Sequence, residues 1–383
     1  MSRLLFAAVL AAIALPTLLQ PAQADVLRIA SEKHALQVSI LAQGLAHPWG
    51  LAFLPDGRML VTERSGRLRL ISRSGELDPR SIGGLPPIAV IGQGGLLDVA
   101  VHPDFARNRW VYLAYSGPEG QGYATQVVRG RLSEGAAGPR LDNLQQIYRQ
   151  RPGSSAGQHF GARLAFDPQG FLYITQGDRG DMQRAQRPDD LAGKIIRLHD
   201  DGRFPTDNPW ASSKDARAMI YSLGNRNVQG AAIHPRTGEL WATEHGPQGG
   251  DELNIIRAGR NYGWPVITYG RNYGLGTAIG EGTHKSGMTQ PQYQWTPSIA
   301  PSGLAFYQGN AFPAWRGNLL LGALKYQMLV RLELDGERVV HEERLLKDQF
   351  GRIRDVRVGP DGLVYLLTDE DDGKLLQLAP AAD

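Results

Sequence analysis

The sequence predicts an all-β chain, a six-bladed β-propeller with four-stranded antiparallel blades. Three observations carry that expectation. Short apolar runs recur along the chain, separated by Gly, Pro and Asp turns, and long amphipathic helical patterns are hard to find. One phrase occurs six times: polar residues, an apolar strand, a turn and a second apolar strand. The copies are spaced at about 60 residues, enough for a small four-stranded sheet with long loops. A sheet of that size cannot bury its own faces, and packing six in a ring does so.

The chain has 383 residues, 47 glycines and no cysteine, so neither disulfides nor cysteine-bound metal contribute to its stability. Residues 1–24 read as a signal peptide. Arg3 precedes the apolar run Leu4–Leu19, which Pro16 interrupts, and Ala22-Gln23-Ala24 is a small-x-small cleavage site. The propeller is then expected over residues 25–383, periplasmic or secreted, with no membrane span in the mature chain. The net charge is +3 and the basic residues are scattered, which speaks against a nucleic-acid partner.

After the short strands Val26–Ile29 and Leu36–Ala42, the first copy begins at His47-Pro48-Trp49-Gly50 and continues through Met59–Thr62 and Arg67–Ile71. The second begins at Gln93-Gly94-Gly95-Leu96, the third at His159-Phe160-Gly161-Ala162 and the fourth at Asn225-Arg226-Asn227-Val228. The fifth begins at Ile299-Ala300-Pro301-Ser302 and the sixth at Arg352-Ile353-Arg354-Asp355. The sixth shows three clear strands, and Leu36–Ala42 is expected to supply its fourth, closing the ring and covering an open edge.

First strands of blades line the axis, so the polar residues before them should gather at one mouth. His47, Gln93, His159, Arg226 with Asn227, Ser298, and Arg352 with Arg354 would converge there. Three arginines crowded at one mouth call for an anionic ligand. The loop Glu244-His245-Gly246-Pro247-Gln248-Gly249-Gly250-Asp251-Glu252 combines turned carbonyls with carboxylates, hard oxygen donors that suit calcium. His159 is a candidate general base. Its ordinary pKa near ~6.5 suits proton abstraction at neutral pH, and neighbouring arginines favour its neutral form. Asp178, just after the next strand, is placed to orient the ring.

These pieces, with Asn261-Tyr262-Gly263-Trp264-Pro265 and Lys325, resemble the soluble pyrroloquinoline quinone (PQQ)-dependent aldose sugar dehydrogenases, relatives of soluble quinoprotein glucose dehydrogenase. The resemblance runs from about His47 to the C-terminus. It implies PQQ over the channel mouth, Ca2+ bridging cofactor and protein, and oxidation of an aldose sugar to its lactone. By that resemblance His159 is the base that takes the anomeric proton while a hydride passes to PQQ. Arg226 and Asn227 hold the reactive quinone edge, and Lys325, Arg352 and Arg354 bind the PQQ carboxylates. His245 and Ser298 are further cofactor contacts, and Gln93 and Tyr269 are substrate contacts. The carbonyls of Gly246 and Pro247 match ligands of the cofactor calcium, and Glu252 and Tyr262 a second calcium site. An external electron acceptor must then regenerate PQQ.

The chain departs from soluble glucose dehydrogenase in a short segment Gly274–Gln294 and in His245, where that enzyme has glutamine; both point to the broad-specificity aldose branch. Two other readings are weighed beside it. A calcium-dependent lactonase on the same fold would not need Arg226, Arg352 and Arg354 together. A non-enzymatic propeller binding a glycan or protein would show aromatics on its blade tops, whereas most of the seven tryptophans fall in strands or Trp-Pro turns.

Overall fold

The structure, a computed structural model, describes residues 26–381. The signal peptide and its cleavage position lie outside them. Six antiparallel sheets form the propeller. The first strands of the six blades are Pro48–Phe53, Leu96–Val101, Leu164–Phe166, Val228–Ile233, Pro301–Phe306 and Ile353–Val358. Each touches the next, and the sixth returns to the first, so the ring is closed.

Closure follows the expected route. Ala35–Leu45 pairs antiparallel with the C-terminal strand Gly373–Pro380, from Leu36 opposite Pro380 to Leu45 opposite Gly373. Val26–Ala30 adds a fifth strand outside it. Alternation sets which residues face the core: Leu36 and Val38 are fully buried and pack with Leu376 and Leu378 against Trp315 of the fifth blade. Full burial of one such side chain stabilises by roughly 1.5–3 kcal/mol, so this seam holds both chain ends.

The first blade differs from the rest. It has three regular strands, Pro48–Phe53, Met59–Glu63 and Arg67–Ile71. Residues 72–95 occupy the fourth position irregularly, touching the blade at Leu68–Ile82 and Ile71–Leu77. Pro79, Pro86 and Pro87 lack amide donors, and a proline-rich segment cannot sustain a ladder.

The axis is tied by buried charges. Arg163 Nη1 lies 3.0 Å from Asp98 Oδ1 and 3.1 Å from Asp355 Oδ1. Arg357 reaches the same two carboxylates at 3.3 and 3.0 Å. Two cations thus balance two anions from the second, third and sixth blades. Glycine makes the room: a Cβ on Gly303 would stand 2.1 Å from Asp355 Oδ1, and one on Gly50 2.6 Å from Asp98 Oδ1.

In five blades the pairing of first and second strands slips near the start of the first strand, between Pro48 and Leu51, Leu96 and Val99, Val228 and Gly230, Pro301 and Leu304, and Ile353 and Asp355. Bulges there twist the strand and re-aim the residues before it. The third blade turns more sharply, with positive φ at His159 (54°), Gly161 (64°) and Ala162 (81°). These irregularities deliver the polar residues to the mouth.

Candidate active site

Two cavities meet at Gln93, which lines both. The larger, about 600 Å³, is walled by Arg64, Lys325, Arg352 and Arg354, with Asn227, Gln229 and His245 among its other lining residues. The smaller, about 380 Å³, is walled by His159, Asp178, Arg226 and Trp264. The catalytic candidates therefore stand beside a cation-lined chamber.

His159 is held from two sides. Its backbone amide donates to Gln93 Oε1 at 3.0 Å, and Nδ1 lies 2.7 Å from Asp178 Oδ1. With Asp178 ionised, Nδ1–H donates and Nε2 is left as a proton acceptor. The side chain is 12% exposed, so that acceptor is reached only through the cavity. Asp178 Oδ1 also accepts from the Gly180 amide at 2.8 Å, and Oδ2 from the Trp264 indole N–H at 2.8 Å. Burial works against this carboxylate, but the His159 hydrogen bond and charge, the Gly180 amide and Arg226 together hold its pKa below the ordinary value.

Arg226 is nearly buried. Its amide donates to Glu244 Oε2 at 2.6 Å, and Nη1 donates to the His245 and Gly246 carbonyls at 2.9 and 2.8 Å. Asn227 Oδ1 accepts from the Gly161 amide and from Gln229 Nε2. His245 faces the large cavity, yet the atoms enclosing it push its pKa down to about 3. It is therefore neutral, and Nε2–H donates to the Pro301 carbonyl at 2.7 Å.

At the far wall Arg354 donates to Gln229 Oε1 at 3.1 Å and pairs with Asp369. Asp369 also takes Arg352 at 3.6 Å and His47 at 2.9 Å. Burial opposes its charge, but the Arg354 charge and hydrogen bond prevail and hold its pKa well below the usual range. Arg64 Nη1 donates to the Gly92 carbonyl at 2.7 Å, and Lys325 Nζ lies 5.2 Å from the Tyr326 ring centroid. Four cations on this wall face two carboxylates, Asp369 and Glu370, and the excess charge suits a polyanionic ligand.

The metal candidates lie behind Arg226. Among the described residues no cluster of three or more His, Cys, Asp or Glu side chains forms a metal cage. A cation here would need carbonyls as well. Glu244 and Glu252 are enclosed around a cavity of about 10 Å³, room for one water or ion. Burial pushes Glu244 up to about 7 and, together with the Glu244 charge, Glu252 up to about 8. The Asn254 side chain bridges them, and its Oδ1 is buried without a partner. Arg226 also lines this cavity, but among the described residues neither carboxylate forms a side-chain salt bridge; two such carboxylates with a free amide oxygen fit a hard dication. Pro247 lines the smaller cavity, while the Gly246 carbonyl accepts from Arg226. Tyr262 spends its hydroxyl on the Ile255 carbonyl and the Arg257 amide, so a metal contact from this residue would have to come from its backbone carbonyl.

Two predicted residues point elsewhere. Ser298 donates to Asp251 Oδ2 at 2.6 Å, and its neighbour Ala300 lines the large cavity instead. Tyr269 donates to Gln290 at 2.9 Å, and the smaller cavity is lined instead by Asn272 and Tyr273. Arg64, Asp369 and the role of Trp264 escaped the sequence reading. A signal for the first two existed. Arg64, Lys325 and Asp369 each follow the second strand of a blade, as Asp178 and His245 do. In an antiparallel pair the end of the second strand lies beside the start of the first.

The sequence profile of the glucose/sorbosone dehydrogenase family matches residues 45–377. The aldose sugar dehydrogenase YliI of Escherichia coli (strain K12) is 44% identical over 348 residues, covering 90% of this chain and 93% of that protein. A crystal structure of a glucose dehydrogenase superposes with a TM-score of 0.86 at 50% identity, over 90% of this chain and 99% of its own. The PQQ-bound aldose sugar dehydrogenase of Streptomyces coelicolor superposes with a TM-score of 0.74 at 30% identity, over 94% and 99%. With a closed six-bladed ring, a His-Asp pair and a cation-lined chamber at its mouth, the chain belongs to the glucose/sorbosone dehydrogenase family of oxidoreductases.

Proposed function

We propose that this protein oxidises aldose sugars at the anomeric carbon to lactones, using PQQ and calcium and passing electrons to an external acceptor. The observation that carries the proposal is the His159–Asp178 pair, 2.7 Å apart, opening beside a chamber walled by Arg64, Lys325, Arg352 and Arg354. The PQQ-bound relative supports the choice of cofactor.

Lys325, Arg352 and Arg354 would bind the three carboxylates of PQQ, and Asn227 and Arg226 would flank its reactive edge. Carbonyls of Gly246 and Pro247 would hold calcium at the cofactor, and Glu252 with the Tyr262 carbonyl a second calcium. PQQ, when bound, supplies the two-electron, hydride-accepting centre.

The protein does the rest. His159 Nε2 accepts the anomeric hydroxyl proton, and Asp178 stabilises the imidazolium that forms. The sugar loses that proton and its anomeric hydrogen with the electron pair, and becomes the lactone. Arg226, which donates to the His245 carbonyl, would present positive charge to the reactive edge of the acceptor.

Protein purified without cofactor should reduce dye with an aldose only after both PQQ and calcium are added. Undiminished dye reduction by PQQ-free, chelator-treated protein would rule the reading out. The leader, Arg3 through Ala24, supports export to the periplasm or beyond. N-terminal sequencing of exported protein should begin at Asp25, and a mature form retaining Leu4–Leu19 in the membrane would contradict it.

A further inference from the structure

Trp264 touches both Asp178 and Arg226. Its indole N–H donates to Asp178 Oδ2 at 2.8 Å, and its ring lies 5.4 Å beneath the Arg226 guanidinium carbon. The residue is 6% exposed and packs with Ala185, Ile279 and Met182. Its backbone is pinned as well: the amide donates to the Gly224 carbonyl at 3.0 Å, and the carbonyl accepts from Gln186 Nε2 at 2.7 Å. A side chain so tightly placed transmits its position to what it touches.

Asp178 has two oxygens, and their division of labour decides the state of His159. Oδ1 accepts from His159 Nδ1 and the Gly180 amide, and Oδ2 from Trp264. Without the indole donor, Oδ2 would sit buried without that partner, and the carboxyl plane could rotate to seek another. Rotation takes Oδ1 off the line to Nδ1. The imidazole proton is then free to move to Nε2, the atom the reaction needs bare.

We propose that Trp264 is a positioning residue: it locks the Asp178 carboxylate so that His159 keeps its proton on Nδ1 and presents a bare Nε2, and it seats the Arg226 guanidinium over its ring. The inference rests on the reading of His159 as the base, and its test separates the two.

Trp264→Phe keeps an aromatic face and removes the N–H together with the five-membered ring, and the kinetic cycle in the Asp178→Ala background separates the lost hydrogen bond from the lost volume. The first readout is the ¹⁵N spectrum of His159 in protein free of PQQ, assigned with His159→Gln. In the wild-type protein the neutral ring should be the Nδ1–H tautomer, and in Trp264→Phe it should become a mixture of tautomers. The second readout is the split of kinetic constants. In the loaded enzyme Trp264→Phe should lower kcat about tenfold, part of the roughly 10²–10⁴ a general base contributes. Sugar KM and PQQ affinity should stay within twofold. The third is a cycle: in the Asp178→Ala background, where no carboxylate remains to be held, Trp264→Phe should change kcat less than twofold. An unchanged His159 tautomer in Trp264→Phe overturns the proposal, and so does a full tenfold loss that persists in the Asp178→Ala background. Because the tautomer is read without cofactor, it stands even if His159→Gln keeps turnover, a result that would remove the base and leave the lock.

Discussion

Asp178→Asn is nearly isosteric, and its cost can be worked from the donors around the side chain. The native carboxylate accepts three hydrogen bonds, two at Oδ1 from His159 and Gly180 and one at Oδ2 from Trp264. An amide has one acceptor oxygen. If that oxygen faces His159 and Gly180, the amide N–H₂ meets the Trp264 N–H, donor against donor. If the amide flips, two donors are confronted instead of one, so the first arrangement holds. The Trp264 hydrogen bond that locks the side chain is lost with it, and the negative charge facing the imidazolium is gone. A hydrogen bond to a charged group contributes roughly 1.5–3 kcal/mol, which on the transition state is about 10- to 150-fold in rate. Asp178→Asn should therefore lower kcat by about that factor, measured by dye reduction at saturating PQQ, calcium and aldose. PQQ affinity, read by fluorescence titration, should hold, because Asp178 does not line the large cavity. A kcat within threefold of wild type would refute the assignment of Asp178 as the partner that stabilises the imidazolium.

Arg352→Ala should weaken PQQ binding about tenfold or more and leave turnover at saturation near normal, since Arg352 stands on the chamber wall away from His159; equilibrium titration checks it. The Glu244–Glu252 pair should contribute less to the stability of the apo-protein as pH rises. Their folded pKa values lie at about 7 and about 8 against 4.5 unfolded, so these two groups hold more protons in the folded state across that window and their contribution falls from about pH 4.5 to about pH 8. Calcium, by replacing those protons, should raise the melting temperature more at pH 8 than at pH 5, and thermal scans with calcium or chelator would show an equal shift at both pH values if no cation binds there.

Much of the architecture was legible because it rests on repetition. Each apolar pair, such as Leu164–Phe166 with Leu172–Thr175, marks an inner hairpin, and Leu36–Ala42 marked the closing strand because the sixth copy lacked a partner. What escaped depends on geometry that no single segment carries. The bulges at the strand starts decide where side chains point, which is why Ser298 turns onto Asp251 and Ala300 takes its place at the cavity. Proline positions in residues 72–95 override the expected fourth strand of the first blade. Asp369 neutralises part of the cationic wall from just past the second strand of the blade that carries Arg352 and Arg354, a pairing visible only when the hairpin is folded. Trp264 reaches Asp178 across 86 positions of sequence.

The central claim is that His159 takes the substrate proton. Its most direct measurement is the turnover of His159→Gln saturated with PQQ and calcium, beside the PQQ affinity of the same protein. The account predicts affinity within about twofold of wild type and turnover reduced by roughly 10²–10⁴. Near-normal turnover from the saturated variant would contradict it.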